Sequence, residues 1–261
     1  ARCFVDDDIT HVENRIDPLA DADTVETELM LSDLDSLERR IGAVEKKAKQ
    51  GDKDSKAQFE VMAAVLALLR EGKPARMAMI TDEQRPVFDQ LQLLTAKPIV
   101  YVANVDEGSA ATGNAHSKRV EDRAKAEGAA FVVISAKIES EIAQLPPAER
   151  DDFLSTLELE EPGLNRLIRA GYSLLHLITF FTVGPKEARA WTVHKGARAP
   201  QAAGVIHTDF EKGFIRAETI AFDDFVACKG EAGAKDAGKM RLEGKDYVVQ
   251  DGDVMHFRFN T

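Results

Sequence analysis

The chain has 261 residues and a mass of 28.7 kDa, with 44% hydrophobic and 30% charged residues, a composition that excludes a disordered chain and leaves room for two or three domains. Thirty-four Lys and Arg face 45 Asp and Glu, a net charge of −11 that argues against nonspecific nucleic-acid binding by the whole molecule, though not against a local basic face. Cys3 and Cys228 make no CxxC or disulfide framework and no apolar run nears the ~20 residues of a membrane span, so the expectation is a cytoplasmic protein.

Ala1-Arg-Cys-Phe-Val5 before Asp6-Asp-Asp8 reads as the end of a strand, and the chain reads as an α/β protein lacking its first part. From Thr24 to Lys47, Met30, Leu34, Leu37, Ile41 and Val44 recur at spacings of 4, 3, 4 and 3, a coiled-coil-like seam. Gln50-Gly-Asp-Lys-Asp54 breaks it, and Phe59, Met62, Val65 or Leu66, and Leu69 mark a second helix. Together they predict an antiparallel helical hairpin whose seam holds its own two helices together, the opposite face being left open. Thr81 and Gln84 predict a capping box for a third helix bearing Val87, Leu91 and Leu94. Strand, helix (Ser117 to Glu127) and strand alternate as far as Lys137, an α/β pattern, and Glu149 to Leu159 and Gly163 to Leu177 read as closing helices.

From about Ile178 the texture changes to that of a small mixed β domain. Thr179-Phe-Phe-Thr-Val183 and Arg189-Ala-Trp-Thr-Val193 read as strands, with Trp191 as core rather than a base-stacking platform, and Ala203 to Lys212 as one helix. Asp251-Gly252 between Tyr247-Val-Val249 and Val254-Met-His-Phe257 predicts a β-hairpin. Residues 227–240, small and charged, are expected to form a mobile loop.

Two segments carry the chemistry. Lys97-Pro-Ile-Val-Tyr-Val-Ala-Asn104-Val-Asp-Glu107 is answered by Phe131-Val-Val-Ile-Ser135-Ala-Lys137, each an apolar run ending in polar residues, as where buried parallel strands emerge at a ligand edge. Asn104 and Glu107 after one strand, and Ser135, Ala136 and Lys137 after the next, suit the gripping of a purine base; the alternative is that Asn104 and Ser135 only cap turns or helices. Guanine-specific hydrolases use N-K-x-D, whose Asp accepts from the guanine N1–H and amine. Val105 and Glu107 replace the Lys and Asp, and adenine offers a carboxylate nothing to bind there. The expectation is ATP over GTP, with the Val105 peptide offering C=O to the adenine amine and N–H to N1.

Phosphate binding calls for GxxxxGK[ST]. Gly233-Ala-Lys-Asp-Ala-Gly238-Lys239-Met240 comes near it, but Met240 cannot ligate Mg²⁺ and no apolar strand leads into Gly233, so it is read as part of the loop. D-x-x-G is absent too, and the chain by itself is expected not to hydrolyse nucleotide. His11, just after the N-terminal strand, is the candidate to position or polarise the attacking water; the alternative is a local loop histidine. Asp6-Asp-Asp8 lacks metal-ligand spacing, and the other five His form no HExxH or comparable pair, so no metal ligand is proposed.

Several segments together resemble the YchF-type ATPases, a branch of the Obg-related P-loop NTPases. They are Arg2-Cys-Phe with Asp8-Ile-Thr-His-Val12, Thr27-Glu-Leu-Met-Leu-Ser-Asp-Leu34, Lys97 through Glu107, Leu159-Glu-Glu-Pro-Gly-Leu-Asn-Arg166, Ala190 through Arg216, and Val248 through Thr261. The resemblance implies a nucleotide-binding domain (1–31 and 96–177), incomplete for want of its P-loop and interrupted by a helical hairpin (32–95), then a C-terminal α+β TGS domain of β-grasp type (178–261). It implies ATP preference through an N-x-x-E motif at Asn104, Val105 and Glu107, Mg²⁺-dependent hydrolysis with the ion's ligands in the missing N-terminal segment, a catalytic role for His11, and ribosome association. A monomer is expected. Two functions follow: an ATP-driven switch, or a noncatalytic module docking the ribosome or a protein partner through the TGS domain and hairpin. Lys186, Arg189, Lys195, Arg198, Lys212 and Arg216 form a basic cluster in sequence that suits the second, the alternative being a solvated charged face.

Overall fold

The seam from Met30 to Val44 lies on α1 (Pro18–Lys49), which begins before its apolar stripe because Pro18 opens the first turn, where no N–H is needed. The computed structural model describes residues 1–6 and 15–260, and the chain divides into two units, Ala1–Ala170 and Gly171–Thr261.

In the first unit, α2 (Lys53–Arg70) returns along α1 after its N-cap Asp52 accepts a hydrogen bond from the Ser55 amide at 3.0 Å. Leu37 packs with Met62, Val65, Leu66 and Leu69, all buried, and Arg70 pairs with Glu38 at 2.8 Å, as an antiparallel hairpin requires. Thr81 and Gln84 exchange the two bonds of a capping box, at 3.2 and 3.3 Å, just before α3 (Arg85–Gln90). Phe88, Leu91 and Leu93 join the hairpin core.

The hairpin's base is fixed by a residue that periodicity passes over. Asp33 is buried on α1 and accepts from the Leu94 and Thr95 amides, both at 2.8 Å, and from the Thr95 hydroxyl at 2.7 Å. Thr95 Oγ1 in turn accepts from the Ala75 amide at 2.9 Å. A carboxylate in the core is tolerated because these donors replace its water.

β1 (Val100–Asn104) and β2 (Ala130–Ile134) run parallel, in register from Val100↔Ala130 to Asn104↔Ile134, with the crossover helix α4 (Ala115–Glu127) between them. The N-terminal residues add to the other side of β1: Arg2 bridges Asn104 in parallel, and Cys3 is fully buried with Ala103, Val105 and Val120. Three short helices follow, α5 (Ala136–Gln144), α6 (Pro147–Thr156) and α7 (Gly163–Leu174). Glu139 caps α7, accepting from the Gly163 amide at 2.7 Å and the Leu164 amide at 3.2 Å.

The second unit is a mixed five-stranded sheet with small helices. Its elements are β3 (Leu177–Val183), β4 (Ala188–His194), α8 (Ala199–Ile206), α9 (Thr208–Lys212), β5 (Phe214–Ala221), α10 (Phe222–Ala227), α11 (Glu231–Asp236), β6 (Arg241–Glu243) and β7 (Asp253–Phe259). Strand order is β4-β3-β7-β5-β6, with only the β3–β7 pair parallel. Phe180, Val193, Phe214, Met255 and Phe257 cover Ala199, Ala202 and Ala203 of α8. Trp191 packs against this core with its indole N–H donated to Thr182 Oγ1 at 2.8 Å.

Three expectations are corrected here. The single helix from Ala203 to Lys212 is two, α8 and α9, because His207 is extended (φ −160°, ψ 140°) and its ring Nδ1 accepts from the Asp209 amide at 3.2 Å. Tyr247-Val-Val249 is not the partner of β7. Val248 bridges Arg198 instead, and Asp251-Gly252 turns the chain against β3, where the Thr179 amide donates to the Asp251 carboxylate at 2.8 Å and the Gly252 amide to Thr179 O at 2.8 Å. Residues 227–240 are not simply a loop: they contain α11, with Ala234 fully buried. Gly230 at φ +118° opens that helix, and a Cβ on Gly233 would lie 2.0 Å from the Cys228 carbonyl oxygen, so only glycine fits there.

Candidate nucleotide site

The site is built where the parallel strands end. Asn104 is pinned on both sides: its amide donates to Ala1 O at 2.9 Å, and its carbonyl accepts from the Cys3 amide at 2.8 Å. Asn114 supports this edge from α4, donating from Nδ2 to Cys3 O at 2.6 Å while its Oδ1 caps the helix at the His116 and Ser117 amides, both at 3.0 Å. Gly113 (φ +74°) makes that approach, and a Cβ on it would stand 2.6 Å from Ser117 Oγ. The sequence reading missed Asn114; its signal was the Asn-x-x-Ser capping box after a glycine.

The two turns singled out in the sequence meet. Asn104 Oδ1 accepts from the Ala136 amide, the first of α5, at 2.9 Å. Lys137 on the same turn pairs with Glu107. That hydrogen bond is the main cause holding the Glu107 carboxyl below its usual range and the Lys137 ammonium above its own. Both groups are solvated, so the pair orients more than it stabilises. Ser135 is the N-cap of α5 but makes no capping bond, and its buried Oγ has no hydrogen-bond partner among the described residues. Asn104, Val105, Glu107, Ser135, Ala136 and Lys137 thus form one cluster at one sheet edge. His11 lies outside the described residues.

One part of the sequence reading is corrected. The Val105 N–H was expected to face the N1 of adenine, but it donates to Ile134 O at 2.9 Å, continuing the β1–β2 ladder by one step. The Val105 side chain is buried with Cys3, Ala103 and Val120 and does not lie over a base. The Val105 carbonyl has no donor among the described residues. Asn104 Nδ2 is likewise unused by them, its amide oxygen being fixed by Ala136. Asp106 is structural, accepting from the Ser109 amide at 3.1 Å to close a 3₁₀ turn. Among the described residues no group of three His, Cys, Asp or Glu is arranged to hold a metal ion, and no helix is long and apolar enough to cross a membrane. Both cysteines are free thiols.

An α/β unit with its polar turns gathered at the carboxyl ends of parallel strands, followed by a mixed-sheet unit, is the class of protein defined here. The family model YchF-GTPase_C, described as a protein of unknown function (DUF933), matches residues 177–260. The "Ribosome-binding ATPase YchF" of Haemophilus ducreyi is 56% identical over 260 residues, covering 100% of this chain and 71% of the relative. That of Bacillus subtilis is 52% identical over 262 residues, covering 100% and 72%. Among solved structures, the Schizosaccharomyces pombe YchF GTPase matches with a TM-score of 0.82 at 30% identity, covering 98% of this chain and 70% of that one. The chain belongs to the YchF family.

Proposed function

We propose that this chain carries the base-reading half of an adenine-nucleotide site in a ribosome-associated, YchF-type P-loop ATPase, and that its C-terminal unit is a TGS domain of β-grasp type. The observation that carries the nucleotide reading is the junction of the Asn104 and Ser135–Lys137 turns through the bond from the Ala136 amide to Asn104 Oδ1. With the amide oxygen so held, Asn104 Nδ2 is directed as a donor to a purine acceptor such as N7, which adenine and guanine share. Discrimination then falls to the Val105 carbonyl. It would accept from the exocyclic amine of adenine but oppose the carbonyl oxygen of guanine, lone pair to lone pair. Adenine offers the Glu107 carboxylate no donor here, and the carboxylate is held instead by Lys137.

The 261 residues contain no GxxxxGK[ST] run, and the Gly233–Met240 near-match is largely the helix α11 of the second unit. Hydrolysis by this chain alone is therefore not expected. A Mg²⁺ ion accompanying the phosphates finds no fitting cluster among the described residues. Ribosome association and a cytoplasmic location rest on the names of the relatives at 52–56% identity. His11 is retained as the residue to position the attacking water.

The test is competition of ATP and GTP against a fluorescent adenine nucleotide on the full-length protein. ATP is expected to displace it at lower concentration, and preferred displacement by GTP would refute the assignment. Cosedimentation with ribosomes, with and without nucleotide, checks the association separately. A noncatalytic docking module would cosediment equally well in both and hydrolyse nothing even when full length.

A further inference from the structure

β4 is an edge strand whose outer side is unpaired. In the antiparallel β3–β4 pair, the Lys195 amide donates to His176 O at 2.7 Å and the Gly184 amide to Glu187 O at 2.8 Å. The register Leu177↔His194 through Val183↔Ala188 therefore makes residues 189, 191 and 193 the ones bonded to β3. The N–H and C=O groups of Ala188, Ala190 and Thr192 point the opposite way, with no strand beyond them among the described residues.

Natural edge strands are usually shielded by proline, bulges, inward charges or brevity. β4 has neither proline nor a bulge, is seven residues long and regular in register with β3, and carries Ala188, Ala190, Thr192 and His194 on one face; its charge is confined to Arg189 on the other face and to the flanking Lys186 and Lys195. All four are exposed. β6, at the other edge, has only three residues.

The charge beside this edge is one-sided. Arg189 lies over the Trp191 ring at 4.5 Å, which holds the guanidinium beside the strand. Arg189, Lys186 and Lys195 are exposed and have no carboxylate partner among the described residues, although the protein as a whole is at −11. Glu187 is the only acidic residue between Lys186 and Lys195.

We propose that the outer edge of β4 takes an extended acidic segment of a partner protein as a sixth strand of this sheet, with carboxylates of the segment meeting Arg189, Lys186 and Lys195. A second copy of this chain is disfavoured, since an edge-to-edge pair would set both cationic sets together. Nucleic acid is disfavoured because the edge alternates N–H with C=O, which matches a peptide backbone, whereas carbonyl oxygens repel phosphates.

The experiment measures amide hydrogen exchange of the full chain with an (Glu-Val)₄ peptide, a (Lys-Val)₄ peptide, and an (Glu-Val)₄ peptide N-methylated on every residue, which leaves neither of its edges a donor. Only the unmodified acidic peptide is expected to slow exchange at Ala190 and Thr192, by about tenfold or more, while the residues bonded to β3 change little. Arg189→Glu, at an exposed site that leaves the strand backbone intact, is expected to weaken acidic-peptide binding by roughly tenfold. Ala190→Pro is expected to abolish it by removing an edge donor, with the unchanged exchange of β3 as the control for folding. Equal protection by the N-methylated peptide would reduce the effect to charge alone and overturn the proposal. No protection at millimolar acidic peptide overturns it, as does protection that appears with protein concentration alone or with single-stranded RNA in place of peptide.

Discussion

Asn104→Asp separates the two jobs assigned to this residue. The substitution is isosteric and keeps an oxygen facing the Ala136 amide, now 2.9 Å away, at the start of the nine-residue helix α5. A carboxylate at a helix N-terminus gains about 0.3–1 kcal/mol, so the stability of the first unit should hold or rise slightly. The purine side changes sign: Nδ2 is lost as a donor, and a second anionic oxygen faces the lone pair of N7. A lost hydrogen bond with the partner left unpaired costs about 2–3 kcal/mol, or roughly 30- to 150-fold in adenine-nucleotide affinity. Asn104→Ala should lose comparable affinity and, in addition, about 1 kcal/mol of stability, because the Ala136 amide is orphaned. Titration of a fluorescent adenine nucleotide into the full-length protein gives the first quantity, and urea unfolding of this chain gives the second. Asn104→Asp binding within threefold of the parent would show that the side chain does not touch the base, whatever Asn104→Ala did.

Asp33→Ala orphans the Leu94 and Thr95 amides and the Thr95 hydroxyl in the hairpin base, and should cost about 3–5 kcal/mol in urea unfolding; a loss under 1 kcal/mol would mean that water replaces the carboxylate. Gly233→Ala sets a methyl 2.0 Å from the Cys228 carbonyl, so α11 must shift, and the second unit should lose about 2–3 kcal/mol, read as a lower thermal midpoint. The Tyr101 phenol is pushed up to about 12, first by burial and then by the hydrogen bond it donates to the Glu127 carboxylate at 2.7 Å. Because the folded value lies above the unfolded value of about 10, this contribution to stability is complete below pH 10 and is lost as the pH rises from about 10 to 12. An ultraviolet difference titration of the parent against Tyr101→Phe reads it directly, and a Tyr101 component titrating near 10 would contradict the Tyr101–Glu127 bond.

The local patterns were legible wherever neighbours in sequence are neighbours in space. The seam spacing gave the hairpin, the capping pair Thr81–Gln84 formed as read, and the two apolar runs became adjacent parallel strands. So did the meeting of the Asn104 and Ser135–Lys137 turns, since two parallel strands joined by one crossover bring the residues after them to the same edge. Asp33 escaped because a carboxylate amid an apolar stripe looks solvated until its donors, some sixty residues away, are known.

By itself, then, the sequence determined the helical hairpin, the two parallel strands with their crossover helix, and which side chains gather at the end of β1 and β2. Only the tertiary structure decided which backbone groups are already spent. The Val105 amide is taken by Ile134, Tyr247–Val249 leave β7 to pair near Arg198, and β4 is left with an open side. Periodicity reports which face of a segment is apolar, but a backbone N–H and C=O look the same at every residue, so their partners are fixed only when distant strands come into register.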